Sequence, residues 1–291
     1  MDRRSGSALR ALVGPLAFAG LLLAGWLVGR HLEQRAGDAG YALVETDRFA
    51  FQVGDAAPGW ETWIDPRWEQ LLADRLAMVG DFPADDPAGP RAVAEALAEL
   101  SFVEAFEAPR VLWPDGLEVP LRLRRPVACV AWRGSFFPVA VDRPAGGPPR
   151  GVLLPGGGST PPAFGGGFLP VLGGLGEGLE GVWLEDPALV AALSVADSLW
   201  HHLPPDAHER LGRVVIDASR DHLASLDDPG TRLELEGGRL VWWGRSPAQG
   251  AAGELPAATK WANLAEALAL LDEVDWTLVD LRWDQPDILR R

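Results

Sequence analysis

The chain has 291 residues, 47% of them hydrophobic, and its 41 acidic side chains against 26 Lys and Arg give a formal net charge of −15. That length allows about two domains, and the acidic excess excludes a nucleic-acid partner because it repels phosphate backbones. The single cysteine, Cys129, excludes an intramolecular disulfide and a multi-cysteine metal site.

The N-terminal region contains an uncharged apolar stretch at residues 11–29, bracketed by Arg10 and Arg30. As a helix it would rise about 28 Å, close to the ~30 Å hydrocarbon core of a bilayer, so it predicts a single transmembrane helix. The arginines before it place the N-terminus in the cytoplasm by the positive-inside rule. A cleaved signal peptide is the alternative, and both interpretations put the rest of the chain outside the cytoplasm.

The next region alternates strand and helix patterns after a linker at residues 30–46. Apolar and polar side chains alternate as in half-buried strands, and Asp-Pro pairs mark two helix starts. The predicted elements are a strand at 48–53, helices beginning at Pro66 and near Pro87, and strands at 102–112 and 117–132. This order of strand, helix, helix, strand, strand predicts one small α+β domain.

The second half of the chain predicts a mainly antiparallel β-domain with flanking helices. Its predicted elements are strands at 136–142 and 152–154, a helix at 187–202, a strand at 213–218, a hairpin at 232–243, a helix at 256–271 and a strand at 276–283. A Gly/Pro-rich stretch at 155–181 is too long for an ordinary connection, so we expect it to be mobile or irregular.

No group of residues predicts catalysis, a cofactor or a metal. The histidines at 201, 202 and 208 with Asp206 are the one metal-like cluster in the sequence, but Pro204 and Pro205 keep them off a single helical face. Gly176, Gly178 and Gly181 match a dinucleotide fingerprint only by letter, because a strand–helix context is missing. We therefore expect a protein that is not an enzyme and has no small-molecule substrate.

Several segments together resemble the FtsQ/DivIB family of bacterial cell-division proteins. They are Leu121 to Ala128 (LRLRRPVA), Phe137 to Asp142 (FPVAVD), Gly151 to Leu153, Leu240 to Gly244, Lys260 and Val279 to Arg282. The resemblance implies a non-catalytic divisome scaffold in the cell inner membrane, at the division site, with its bulk periplasmic. It also implies the domain order: cytoplasmic tail 1–10, transmembrane helix 11–29, linker 30–46, POTRA-like domain 47–125 and FtsQ-type β-domain 126–291.

The resemblance also implies which residues bind partners. The implied partners are small bitopic proteins of the FtsB and FtsL type, besides the lipid bilayer around residues 11–29. A partner strand would pair with the last strand by β-augmentation, although one face of that strand must also cover the core. The implied partner-binding residues are Trp276, Leu278, Val279, Asp280, Leu281, Arg282, Trp283 and Lys260, and the implied inter-domain residues are Arg124, Arg125 and Pro126.

An alternative function is a POTRA-bearing envelope transport or secretion component, because POTRA modules there also pair through edge strands. Such transporters usually carry repeated modules or a membrane barrel, and the sequence shows neither an internal repeat nor a series of long alternating strands.

Overall fold

The computed structural model describes residues 22–32, 34–35, 43–46, 49–53, 66–112, 116–145, 149–164, 167–174, 183–249, 253–272, 274–283 and 287–290. The chain divides into two compact units. The first unit comprises Met1–Gln52, Ala73–Leu97 and Glu107–Pro120, and the second comprises Val53–Leu72, Ala98–Phe106 and Leu121–Arg291.

The structure is α+β. The strands are β1 (Leu43–Val44), β2 (Phe49–Val53), β3 (Phe82–Pro83), β4 (Val103–Phe106), β5 (Arg110–Leu112), β6 (Gly116–Leu123), β7 (Pro126–Trp132), β8 (Ser135–Asp142), β9 (Arg150–Leu153), β10 (Ala163–Phe164), β11 (Gly167–Phe168), β12 (Val171–Gly173), β13 (Trp183–Leu184), β14 (Val214–Asp217), β15 (Thr231–Leu235), β16 (Arg239–Gly244), β17 (Trp276–Asp280) and β18 (Asp287–Arg290). Apart from helical residues near the N-terminus, the α-helices of the described part of the chain are α1 (Pro66–Ala77), α2 (Ala88–Ala98), α3 (Pro187–His202), α4 (Pro205–Leu211) and α5 (Ala257–Ala269).

The prediction of a transmembrane helix is wrong for the part of the chain that the structure describes. Across that part, every helix is too short or too polar to cross a bilayer. Residues 22–32 are helical, but their apolar run ends at Arg30. The eight residues before it rise about 12 Å, against a hydrocarbon core of ~30 Å. Residues 11–21 of the predicted span lie outside the described residues.

A short antiparallel pair opens the first unit. Strand β1 lies within the predicted linker and pairs with β3 in the register Val44↔Phe82. The ring of Phe82 packs against Gly89 of α2 so closely that a Cβ on the glycine would lie 2.0 Å from a ring carbon. Farther along α2, Val93 and Leu97 are one helical turn apart and both are buried. Strand β3 itself was not predicted, because two residues carry no periodic pattern.

The strands that follow α2 are shorter than predicted. The strand expected at 102–112 is two strands, β4 and β5, and each pairs antiparallel with β6. The strand expected at 117–132 is also two, because β6 and β7 lie in different sheets. The sheet that contains β6 has four strands: its order is β2-β6-β4, and β5 also pairs with β6. Arg124 and Arg125 connect the two.

The second unit contains a ten-stranded sheet of order β13-β9-β8-β7-β12-β14-β15-β16-β17-β18. The sheet is mixed: six of its nine strand pairs are antiparallel, in agreement with the predicted mainly antiparallel β-domain, and three are parallel. Strand β12 pairs parallel with both β7 and β14, and β16 pairs parallel with β17. Parallel pairs need long crossover connections, and helices α3 and α5 lie in two of those connections.

The sequence predicts that the Gly/Pro-rich segment is mobile or irregular, but part of the segment forms regular structure. It supplies β12, which lies in the middle of the sheet between β7 and β14. Leu172 of β12 is buried in the main core. Gly173 lets Val215 approach closely, because a Cβ on the glycine would lie 2.8 Å from a Val215 methyl carbon. Residues 175–181 of the segment lie outside the described residues.

The main core lies between one face of this sheet and the helices α3 and α5. Helix α3 has the predicted bounds: the Asp186 side chain accepts hydrogen bonds from the N–H groups of Ala188 and Leu189, and Pro187 occupies the first turn. Three fully buried tryptophans, Trp243, Trp261 and Trp276, fill the core near α5. The first two rings lie 4.6 Å apart.

Candidate interaction surface at the last strands

The last predicted strand lies one position inside the end of the sheet. It forms β17, which pairs parallel with β16 on one side and antiparallel with β18 on the other. Strand β18 ends the sheet order, so its outer backbone edge is not paired with another strand of the described part of the chain. Sequence reasoning missed β18, although Ile288 and Leu289 after Pro286 were a weak strand signal.

Several of the implied partner-binding residues belong to the core. Trp276, Val279 and Leu281 are fully buried, and the Trp276 indole N–H donates to the carbonyl of Ala267 at 3.0 Å. A register shift between Trp276 and Leu278 brings Trp276 to the core together with Val279, where simple alternation would separate them. These three side chains hold β17 against α5.

Asp280 and Arg282 form a buried ion pair. The Arg282 guanidinium donates to both carboxylate oxygens of Asp280, at 2.7 Å from Nη2 and 2.9 Å from Nε. Its Nη1 donates to the Ser225 carbonyl at 2.6 Å, so the pair anchors the loop before β15. The hydrogen bonds to Asp280 raise the pKa of Arg282 above its ordinary value. Both charges are thus engaged inside the unit.

Lys260 is also buried. Its ammonium donates to the Trp243 carbonyl at 2.6 Å and to Glu254 Oε2 at 2.7 Å. Burial lowers the pKa of Lys260, and the contact with Glu254 opposes that effect. The lysine joins α5 to the end of β16, and its charge is matched by Glu254.

The implied inter-domain residues lie at the junction of β6 and β7. Arg124 Nη1 donates to Asp142 at 2.7 Å, and Arg150 Nε donates to the same carboxylate at 3.0 Å. Burial acts to raise the pKa of Asp142, but the hydrogen bonds and charges of the two arginines outweigh it, and the pKa lies below its ordinary value. Arg125 lies over the Trp200 ring at 5.8 Å, and Pro126 begins β7 as a buried residue.

Three leucines that are at least partly exposed form a row across strands β16, β17 and β18. Leu240 of β16 is paired with Leu278 of β17, and Leu278 with Leu289 of β18. Leu240 is 39% exposed, Leu289 is 53% exposed and Leu278 is partly exposed. We call Leu240, Leu278 and Leu289 the leucine row. Of these three leucines, only Leu278 was among the implied partner-binding residues, because the row depends on which strands are neighbours.

Aromatic and charged side chains lie beside the leucine row. Trp242 follows Leu240 on the same face of β16, and the Arg282 guanidinium lies 5.3 Å from its ring and 5.4 Å from that of Trp283. Trp283 is 39% exposed. On the other side, Glu234 of β15 is paired with Leu240. Leu and Trp side chains beside an unpaired strand edge form a surface that a protein partner can bind.

The remaining candidate catalytic and metal-binding residues have structural roles or do not lie together in a group. His208 is buried against Trp200 at 4.9 Å between ring centres, and its Nε2–H donates to the Leu203 carbonyl at 3.0 Å. Burial raises the pKa of the Cys129 thiol to about 12, which keeps it protonated. Within the described residues, three or more His, Cys, Asp or Glu side chains nowhere meet in a group that could hold a metal ion.

Comparison with known proteins found no matching family model and no matching curated protein.

Proposed function

We propose that this chain is a non-catalytic scaffold of bacterial cell division, resembling FtsQ/DivIB, that recruits other division proteins through the leucine row and strand β18. The leucine row is the observation that carries this proposal. The sequence segments that resemble the family support the division role, and the row supplies a surface for it.

The three leucines of the row are contiguous across neighbouring strands. Single exposed leucines are ordinary, whereas adjacent exposed apolar side chains mark binding surfaces. Neighbouring strands lie about 4.8 Å apart, so the row extends about 10 Å across three strands. Burying one leucine contributes roughly 1.5–3 kcal/mol, and the contacts can add to pairing at the backbone edge of β18. Part of this free energy offsets the loss of translational and rotational freedom on association, so we expect a reversible complex.

The proposed partners are small single-span proteins of the FtsB and FtsL type, and the proposed location is the division site. A partner segment adds a strand to β18 and places an apolar side chain against Leu289. Alternate side chains of that strand give selectivity, because only one of its faces meets the leucine row.

The test is a charge placed in the row of a functional fluorescent fusion. Leu289→Glu should reduce the midcell signal and the crosslinking from β18 to a small single-span protein by about tenfold, since the charge would be desolvated in the complex. Leu270→Glu is the matched control, because Leu270 is 40% exposed and lies in the turn after α5, where it is not part of the leucine row.

Equal loss of midcell signal in both variants would contradict a specific role for the row. Uniform envelope fluorescence of the unaltered fusion would contradict the division role. Crosslinks from β18 to exported chains would favour a transport component instead.

A further inference from the structure

The connection between β14 and β15 exposes two leucines. Leu226 is 76% exposed and Leu223 is 47% exposed. We call residues 221–228 of this connection the β14–β15 loop. A single exposed leucine is ordinary on a protein surface, so the informative feature is how firmly the backbone that carries it is held.

A buried arginine holds the middle of the β14–β15 loop. Arg282 is only 4% exposed. Its Nη1 lies within hydrogen-bond distance of the carbonyls of Ser225 (2.6 Å), Leu226 (3.3 Å) and Asp228 (3.4 Å). Hydrogen bonds from a charged donor are stronger than those between neutral groups. The backbone on both sides of Leu226 is therefore fixed, while its side chain stays in solvent.

Both ends of the β14–β15 loop are fixed as well. Asp221, which is 2% exposed, accepts hydrogen bonds from the Thr231 hydroxyl at 2.8 Å and from the Ser246 N–H at 2.6 Å. After the loop, Gly230 has a φ of 65°, and a Cβ there would lie 2.5 Å from the Cβ of Ala224. Because a rigid loop loses little conformational entropy on binding, its exposed apolar side chain retains more of the contact free energy.

The β14–β15 loop adjoins the leucine row through Arg282. The Arg282 guanidinium lies 5.3 Å from the Trp242 ring, and Trp242 follows Leu240 of the row on the same face of β16. Two residues along a strand span about 7 Å, so the loop backbone lies on the order of 15 Å from Leu240. Trp283, which is 39% exposed, lies 5.4 Å from the same guanidinium. The loop and the row thus belong to one surface.

The leucine row alone is smaller than an ordinary protein-binding surface. It extends about 10 Å across three strands, whereas a standard interface covers ~800 Å² on each partner, a patch roughly 30 Å across. A partner that binds the row must therefore contact neighbouring surface. Beyond Leu240 on the β15 side lies the exposed carboxylate of Glu234, whereas the loop side offers the apolar side chains of Trp283 and Leu226.

We propose that Leu226 is a second anchor for the partner that pairs with β18, and that it enters an apolar recess of that partner. This role rests on the division function proposed above, since it adds a contact to the same complex. A protein occupant is favoured over the membrane surface. Asp227 beside the leucine is exposed and the chain carries a net charge of −15, which repels anionic lipid headgroups.

The test is photo-crosslinking of the full chain in dividing cells. p-Benzoylphenylalanine replaces Leu226 in one strain and Leu289 of β18 in another, and the captured proteins are identified by mass spectrometry. Both positions should capture the same small single-span protein. The same probe at Leu270, an exposed leucine after α5, should not capture it.

Variants at position 226 test the apolar contact itself. With the probe at position 289, Leu226→Ser should lower the crosslink yield about tenfold, whereas Leu226→Met should keep it within about twofold. Leu270→Ser is the matched control and should leave the yield unchanged. Because Leu226 is largely exposed, Leu226→Ser should not move the midpoint of urea unfolding, so the loss of yield does not arise from unfolding.

The result separates the loop from the leucine row. Capture from position 289 but not from 226, or a yield that Leu226→Ser leaves unchanged, overturns the role of the loop and leaves that of the row intact. A lowered unfolding midpoint in Leu226→Ser assigns the leucine a structural role instead. Labelling of phospholipid from position 226 places the loop at the membrane. Capture of no small single-span protein from both positions refutes the loop's role together with the proposed function.

Discussion

At the scale of single residues, buried charged side chains of the second unit stabilise the fold. Lys260 lies in the core and donates to both Glu254 and the Trp243 carbonyl, so it stabilises the junction of β16 and α5. Because Lys260 is buried, it contacts a partner protein only if the junction of β16 and α5 opens. Its measurable role is therefore in stability.

Lys260→Met should lower the free energy of unfolding by about 3 kcal/mol, because Glu254 is left largely buried without its counter-charge. Adding Glu254→Gln should restore part of that loss, since the remaining amide is neutral. Urea unfolding followed by tryptophan fluorescence measures both. The matched control is Arg245→Met at an exposed neighbour, which should change stability by less than about 0.5 kcal/mol. Identical stability of single and double variants would contradict the pairing.

His208 should make stability depend on pH. Burial lowers its pKa below the ordinary value of 6.5, so the unfolded chain takes up this proton at a higher pH than the folded chain. The free energy of unfolding should therefore fall as the pH drops from about 6.5 to the lowered pKa, and level off below it. His208→Gln should flatten that part of the curve, whereas His202→Gln at an exposed position should not. A wild-type slope retained in His208→Gln would rule out this residue as its origin.

At the scale of elements, the packing of β3 against α2 overrides helix propensity. Gly89 lies in α2, where alanine would gain about 1 kcal/mol in helix propensity. A Cβ there would lie 2.0 Å from the buried Phe82 ring, and overpacking costs about 1–3 kcal/mol.

Gly89→Ala should therefore destabilise the chain despite the better helix former. In a Phe82→Leu background the same change should cost less, and thermal unfolding of the four variants gives the coupling between the two sites. A stabilising Gly89→Ala would show that the ring moves away without cost.

In the segment after β9, packing within the sheet also overrides the local sequence preference. Glycine and proline at high density predicted irregular backbone, yet three of its residues form β12. Their apolar side chains and the small Gly173 fit the space between β7 and β14. The pattern of a three-residue strand is too short to be recognised before its neighbours are known.

At the scale of the whole molecule, β12 links the two halves of the ten-stranded sheet, β13 to β7 and β14 to β18. Leu172→Asp places a charge in the core at this link and should destabilise the second unit by at least about 3 kcal/mol. Amide exchange should accelerate equally in β8 and β16, because both halves lose the strand that joins them. Leu240→Asp on the exposed face is the control and should leave exchange in β8 unchanged. Faster exchange in only one half would contradict cooperative folding through β12.

The sequence by itself determined the elements that depend on local chemistry. The helix predicted at 187–202 is α3, and the hairpin predicted at 232–243 is formed by β15 and β16, which turn at Gly237 and Gly238 with positive φ. The family resemblance and the division role stay predictions. So does the division into POTRA-like and β-domains.

Only the tertiary structure decided which elements are neighbours. It placed β12 at the centre of the sheet, buried Lys260 and Arg282, and added β18 outside β17. The leucine row also arises there, because it combines residues of three separate strands. The physical reason is that hydrogen-bond capping and turn formation are decided within a few residues, whereas strand pairing and burial depend on groups that the fold brings together.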